Sequence, residues 1–364
     1  MIFFLLRHPP PFTDKQREKL IQQARQLHEE AQTLTYQKEF ARAVILMDQY
    51  IHICDRLRGF REAARACMDA GGLNAAIAHW GHALSSYRNA RWHFKLVKNT
   101  AGQGLASAAM GKVLFQVQQF EFAAKELERG RKLLEESGDR KALKEILHNL
   151  AMAYRNCRNV AKEMAVAVEL VKLCEDGPDE EIKADAYRVR GIAEANAGNK
   201  GDGIRWLNKA LDMYRTLNVM SAQRPVLDDL AMIYVSLTQY ENAVDIVRQT
   251  VGIARGTGDA TSLCKAIVNL ALIEAKAGLY AEARRDLKEA EEISATLKSP
   301  DGDEARAQIK MHLADLHVKQ RQFESGERLA QEAADAFQKL GDYSTAMVCL
   351  NIVADARREK GRMQ

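Results

Sequence analysis

Two histidine groups and one glycine-rich run are the residues whose types could do chemistry. His79 and His82 lie three apart with His93 following, and His312 and His317 form a second group. Imidazole is a common zinc ligand, but zinc needs three or four ligands converging in tetrahedral geometry. Neither group brings that number of ligands to a convergent geometry, and His79 and His82 lie on a second helix next to Trp80, so packing or surface roles are expected and no metal is assigned. The run Gly198-Asn199-Lys200-Gly201-Asp202-Gly203 has glycines spaced as in a phosphate loop. It lacks the Gly-Lys-Ser/Thr ending and follows a helical pattern rather than a strand, so it reads as a hairpin turn. No Ser/His/Asp set, carboxylate pair or cofactor fingerprint can be tied to a common pocket. The expectation is a non-enzyme, with no catalytic residues and no cofactor.

The elements around these residues are helical. The chain has 364 residues, 47% of them hydrophobic and only six prolines, which favours an all-α class. Cys54, Cys67, Cys157, Cys174, Cys264 and Cys349 lie far apart with no CxxC pair, as expected for buried free thiols in a reducing compartment. Net charge is +4 with both signs interspersed, which gives no whole-chain attraction to nucleic acid. Ile2 to Leu6 is the one apolar run near the start and is too short for a signal-peptide core or a spanning helix. A soluble, cytoplasmic protein without membrane insertion is expected. Residues 1–12 stand apart as an apolar, proline-rich segment, because Pro9, Pro10 and Pro11 forbid a helix. Thr13 and Gln16 then have the form of a capping box.

From there the chain repeats. A small residue, in six of nine cases directly after a large apolar one, recurs at Ala31, Ala64, Gly111, Ala151, Gly191, Ala231, Ala271, Ala314 and Ala354, with a dominant step of 40 residues. Twelve residues after each anchor a second helix carries Ala43, Ala76, Ala123, Gly203, Ala243, Ala283 or Gly326, with Glu163 as the one departure. Close helix crossing needs small side chains there. Nine after the anchor stand Phe40, Leu73, Phe120, Val160, Tyr240, Tyr280 and Phe323, with Lys200 in the unit from Gly191. Gly71, Gly198 and Gly278 read as turn positions just before these residues. A fixed period of this size marks a solenoid of stacked helical hairpins.

The pattern resembles the tetratricopeptide repeat. Tyr187, Gly191, Gly198, Ala210 and Leu211 match one unit, and Leu230, Ala231, Tyr234, Tyr240 and Ala243 match the next. The resemblance implies a right-handed superhelical solenoid of about eight hairpins over residues 13–364, with units starting near 24, 57, 104, 144, 184, 224, 264 and 307 and a capping helix from 347. A minimal unit has about 34 residues, so the longer step here implies longer helices, as in kinesin light chains, spindle and ciliary adaptors and bacterial peptide-sensing regulators. Two interruptions are expected, a helix extension at Ser86–Gln103 and a loop at Lys298–Asp303.

The resemblance further implies that first helices line an inner groove. The positions that would face it carry Arg25, His28, Arg58, Arg61, Arg65, Lys112, His148, Arg155 and Arg188, followed by Asp228, Asp315 and Asp355, with Lys265 and Arg358 as exceptions. A basic half-groove attracts carboxylates, and arginine adds bidentate hydrogen bonds. The expected function is a protein-interaction scaffold or adaptor that holds an extended or helical, acidic partner segment in its groove. The alternative is a peptide- or ligand-responsive regulator that changes superhelix pitch; RNA binding by helical repeats ranks third.

Overall fold

The computed structural model describes residues 12–175 and 177–363. The expectations for residues 1–11 lie outside the described residues. Seventeen α-helices and no strand occur among the described residues, and the chain forms two compact units that meet between Gly198 and Asn199. Unit 1 holds α1 (Asp14–Tyr36), α2 (Phe40–Arg56), α3 (Phe60–Ala76), α4 (Trp80–Leu96), α5 (Thr100–Gln116), α6 (Phe120–Ser137), α7 (Arg140–Asn156), α8 (Val160–Glu175) and α9 (Glu180–Asn196). Unit 2 holds α10 (Lys200–Thr216), α11 (Met220–Ser236), α12 (Tyr240–Thr257), α13 (Ala260–Lys276), α14 (Tyr280–Ser294), α15 (Asp301–Lys319), α16 (Phe323–Lys339) and α17 (Tyr343–Met363). Within each unit, consecutive helices pack as hairpins, so the fold is an all-α helical-repeat stack.

Why the helices stop and start where they do is visible at the turns. Lys38, Arg58, Ala78, Lys98, Gln118, Arg158, Asn218 and Thr238 all have φ between 54° and 63°, with Gly138, Gly198, Gly258 and Gly278 filling the same twenty-residue series. A left-handed residue after the last turn lets the next N–H reach back to the carbonyl five residues earlier, as in Glu39 to Leu34 (2.9 Å) and Gly59 to Cys54 (2.8 Å). The helix is closed and the chain reverses. Thr13 makes the expected capping box with Gln16. Side-chain caps then recur at Asn99, Asp139, Asp179 and Asp259, each accepting from a backbone N–H of the following helix.

This regular spacing corrects the sequence register in the second repeat. Gly71, not Ala64, stands 40 residues from both Ala31 and Gly111. It is not in a turn but inside α3, pressed by the Tyr87 ring, since an added Cβ would lie 2.5 Å from Tyr87 Cε1. The crossing residue of that hairpin is therefore fully buried Ala83 rather than Ala76, and Trp80 takes the large position assigned to Leu73. With that shift the interruption at Ser86–Gln103 disappears. It comprises the end of an ordinary 17-residue α4, a turn and the start of α5. The second interruption falls between Ser294 and Asp301, and Asp301–Asp303 already form the first turn of α15.

The crossings are tight because they are built on small residues. An alanine Cβ at Gly130 would sit 2.5 Å from Ile146 Cδ1 and 2.9 Å from the Gly104 carbonyl oxygen, and that backbone oxygen cannot rotate away. Gly130→Ala is expected to lower stability by about 1–3 kcal/mol, because overpacking exceeds the gain in helix propensity. Gly252→Ala, in α12 with nothing within 4 Å of the new Cβ, should instead raise it by about 0.5–1 kcal/mol. Urea denaturation midpoints of the two variants would move in opposite directions.

Candidate partner-binding groove

In unit 1, odd-numbered helices line two adjoining cavities. The larger, about 500 Å³, is bounded by Met68, Gly72 and Ala75 of α3, Leu105, Ala108, Ala109 and Lys112 of α5, and Glu145 and Asn149 of α7, with Trp80 and Tyr87 of α4 below. The second, about 230 Å³, shares Lys112, Glu145 and Asn149 and continues to His148, Ile182 and Asp185. Small residues make the chamber: Gly72, Ala75, Ala108 and Ala109 leave room where their neighbours carry bulk. Leu105 and Met68 give it apolar walls.

Four of the nine residues expected in the groove come together here. His148 lies on α7 within the fields of Lys112, Arg155 and Arg188. Burial holds its pKa below the usual histidine value of 6.5, Asp185 opposes that shift, and the three cations reinforce it. The imidazole is therefore neutral near pH 7, and as a group with a depressed pKa it contributes stability above about pH 6.5 that is lost as pH falls through its folded value. Lys112 is exposed and has no ion-pair partner among the described residues. Arg155 is different. Its Nε donates to Glu163 Oε1 at 2.9 Å, and Asn196 Nδ2 reaches both oxygens of the same carboxylate at 3.1 Å. Glu163 is only 1% exposed, so the departure noted in the crossing series is a buried carboxylate that ties Arg155 back into the stack.

The remaining five are not gathered with these four. Arg25 and Arg65 occupy equivalent, exposed positions of α1 and α3, forty residues apart, in the register that continues with Leu105, Glu145 and Asp185. His28 sits half-buried on α1, its Nε2 2.9 Å from Gln32 and its ring 4.9 Å from that of Tyr50. Arg58 is the left-handed turn residue before α3, and Arg61 lies in the first turn of that helix. Both were placed from Ala64, and the register set by Gly71 assigns their positions to Arg65 and Met68 instead. The chamber residues Gly72 and Ala75 were missed for the same reason, and the forty-residue step from Gly71 to Gly111 was the signal that could have found them. Met68 and Leu105 already fell at groove positions of the sequence register but carry no charge and so were not named.

In unit 2 the acidic residues named from the sequence are largely neutralised. Asp315 meets Lys319 at 2.7 Å and Asp355 meets Arg358 at 2.9 Å. Asp228 lines a cavity of about 510 Å³ between α11 and α13, which also holds Arg224, Lys276 and Met232, the last 72% exposed. The groove positions of this unit thus carry mixed charge. The histidine groups do not assemble into ligand sets: His79 and His82 lie with rings 5.9 Å apart, His93 turns inward to Asp55 at 3.5 Å, and His317 Nδ1 is 2.5 Å from Gln322 Oε1. Among the described residues, no group of three or more His, Cys, Asp or Glu could hold a metal ion, and no helix is long and apolar enough to cross a membrane. All six thiols are free, five of them buried.

Hairpins of two helices repeated at a forty-residue step define a helical-repeat architecture of the tetratricopeptide type, and the structural neighbours are tetratricopeptide-like repeat proteins. No family model matches the chain, and no curated protein matches it. Solved structures do. A signal transduction ATPase with a tetratricopeptide repeat sensor from Pyrococcus horikoshii aligns at 13% identity over 92% of this chain and 50% of its own, with a TM-score of 0.62. Aspartyl phosphate phosphatase F from Bacillus subtilis aligns at 13% identity over 96% of each chain, TM-score 0.54. A Rap protein complexed with competence and sporulation factor aligns at 12% identity over 96% of this chain and 100% of its own, TM-score 0.50. The likeness is one of fold.

Proposed function

We propose that this chain is a non-enzymatic interaction protein whose unit 1 groove holds an extended or helical acidic segment of a partner protein. The single observation that carries this reading is the pairing of a chamber with apolar walls and the cation cluster around His148. Lys112 borders both cavities, so a side chain seated against Met68 and Leu105 brings neighbouring carboxylates within reach of Lys112, His148 and Arg188. Apolar anchors supply affinity, and charge selects the sequence around them. Arg25 and Arg65 extend the basic rim along α1 and α3. A second reading, a regulator that responds to a bound peptide, draws support from the full-length likeness to the Rap protein seen with competence and sporulation factor.

The histidine gives the test. A carboxylate bound beside His148 favours the imidazolium, so binding takes up a proton and affinity for acidic peptides should rise as pH falls from about 8 to about 5.5. Fluorescence anisotropy with labelled twelve-residue acidic, neutral and basic peptides would follow it. Selective acidic binding with this slope, flattened by His148→Gln, is expected; no preference for acidic peptides would sink the proposal.

A further inference from the structure

Even-numbered helices of unit 1 form a second cleft that the groove reading leaves unused. It lies between α4 and α6, has a volume of about 770 Å³, and is lined by Arg88, Trp92 and Lys95 on one side and Lys125, Lys132 and Leu133 on the other. Its geometry is held from behind. Arg91 Nη1 reaches across from α4 to Glu126 Oε2 of α6 at 2.6 Å and to Ser107 at 3.2 Å, and Arg129 holds the other oxygen of Glu126 at 2.8 Å. These contacts spend Arg91 and Arg129 on one carboxylate. Arg88, Lys95 and Lys132 stay exposed with no ion-pair partner among the described residues, and Lys125 has only the Phe122 ring beneath it, 5.3 Å from the centroid. Beside Arg88 and Lys95 on α4, Trp92 is 43% exposed, an unusual position for so large an apolar ring.

We propose that this cleft is a second docking site, distinct from the groove, for an extended acidic protein segment with two carboxylates three residues apart and an apolar side chain between them. Arg88 and Lys95 are seven residues apart on α4, as are Lys125 and Lys132 on α6, which at 1.5 Å per residue separates the charges in each row by about 10 Å. A segment in the polyproline II conformation has three residues per turn and a rise of about 3.1 Å, so it places residues i and i+3 on one face about 9 Å apart. The segment therefore meets both cations of a row, and an intervening side chain, turned about 120° from the carboxylates, reaches Trp92. Protein is favoured over nucleic acid because Glu128 and Glu136 also line the cleft and would repel a continuous run of phosphates.

The experiment uses the full chain and a fluorescein-labelled peptide carrying Glu-Phe-Leu-Glu between glycines, with a Gln-Phe-Leu-Gln peptide and labelled oligouridine beside it. Saturable binding of the glutamate peptide is expected. Binding is read in the Arg65→Glu/Lys112→Glu background, which disables the groove; there the glutamate peptide should still bind, and adding Lys95→Glu/Lys132→Glu, both at exposed positions, should weaken it at least about tenfold. That background removes the groove's contribution, so either site can fail alone. Absence of saturable binding, equal binding of the glutamine peptide, insensitivity to the Lys95/Lys132 reversal, or tighter binding of oligouridine that the same reversal removes would overturn the proposal.

Discussion

Glu163→Ala is expected to destabilise the protein by about 2–4 kcal/mol, even though alanine is the residue that most other hairpins carry at the same crossing. Ala43, Ala83, Ala123, Ala243 and Ala283 show that the site is sterically made for alanine, so the cost is not one of shape. It comes from what Glu163 holds. Removing the carboxylate leaves the Arg155 guanidinium, half-buried and with Nη2 already lacking a hydrogen-bond partner, facing a low-dielectric crossing, and it strips both bonds from the Asn196 amide. Deleting the partner charge as well should relieve most of the penalty, because two neutral residues bury no orphan. Arg155→Ala/Glu163→Ala should therefore be more stable than Glu163→Ala alone, with a coupling of about 1–3 kcal/mol in a double-mutant cycle read by urea denaturation. Additive losses would show that the cluster does not act as a unit.

Reversing charge at the chamber should have the larger functional effect. Arg65→Glu/Lys112→Glu places two carboxylates along the rim where a partner's own carboxylates are proposed to dock, and affinity for acidic peptides should fall at least about 100-fold. Both positions are exposed and neither has an ion-pair partner among the described residues, so helicity by circular dichroism and the denaturation midpoint should hardly change. Arg58→Glu is the contrasting substitution. Its residue sits in the left-handed turn ahead of α3, away from the chamber lining, and affinity should stay within about threefold. The dominant effect would then be local to the chamber rather than a response to net charge. Raising salt from about 0.05 to 0.5 M should weaken the wild-type interaction and leave the reversed variant little affected.

How far the residues revealed their own arrangement depends on which signal they carried. The repeat was legible wherever one small residue stood alone among large ones, as at Ala231 between Val226, Leu227, Leu230 and Ile233. It failed in α3 because Ala63, Ala64, Ala66, Ala70 and Gly71 are all small and all buried, so size alone does not choose a register there. What decides it is Tyr87, whose ring needs the missing Cβ of Gly71, and that pairing between helices leaves no mark in the local pattern. The turns were hidden for a related reason. Arg58, Ala78, Gln118 and Thr238 adopt a backbone region that usually advertises itself through glycine, and the surrounding hydrogen bonds impose it on ordinary residues. Glu163 stood out as an exception in the crossing series, yet its partners were not readable, because Asn196 approaches from a helix 33 residues further on. Of the nine charged residues named for the groove, only Lys112, Arg155 and Arg188 gather around His148. The apolar chamber was not legible, since glycine and alanine in a helix declare neither a core nor a cavity.

The central claim, that unit 1 takes an acidic segment between α3, α5 and α7, is tested most directly by photo-crosslinking. An acidic peptide carrying a benzophenone at its apolar position would be irradiated with the full chain, and the modified residues identified by mass spectrometry. The expected result is modification of Met68, Leu105 and their neighbours in the chamber, lost in the Arg65→Glu/Lys112→Glu variant. Adducts confined to unit 2, or adducts in the chamber that survive the charge reversal, would contradict it.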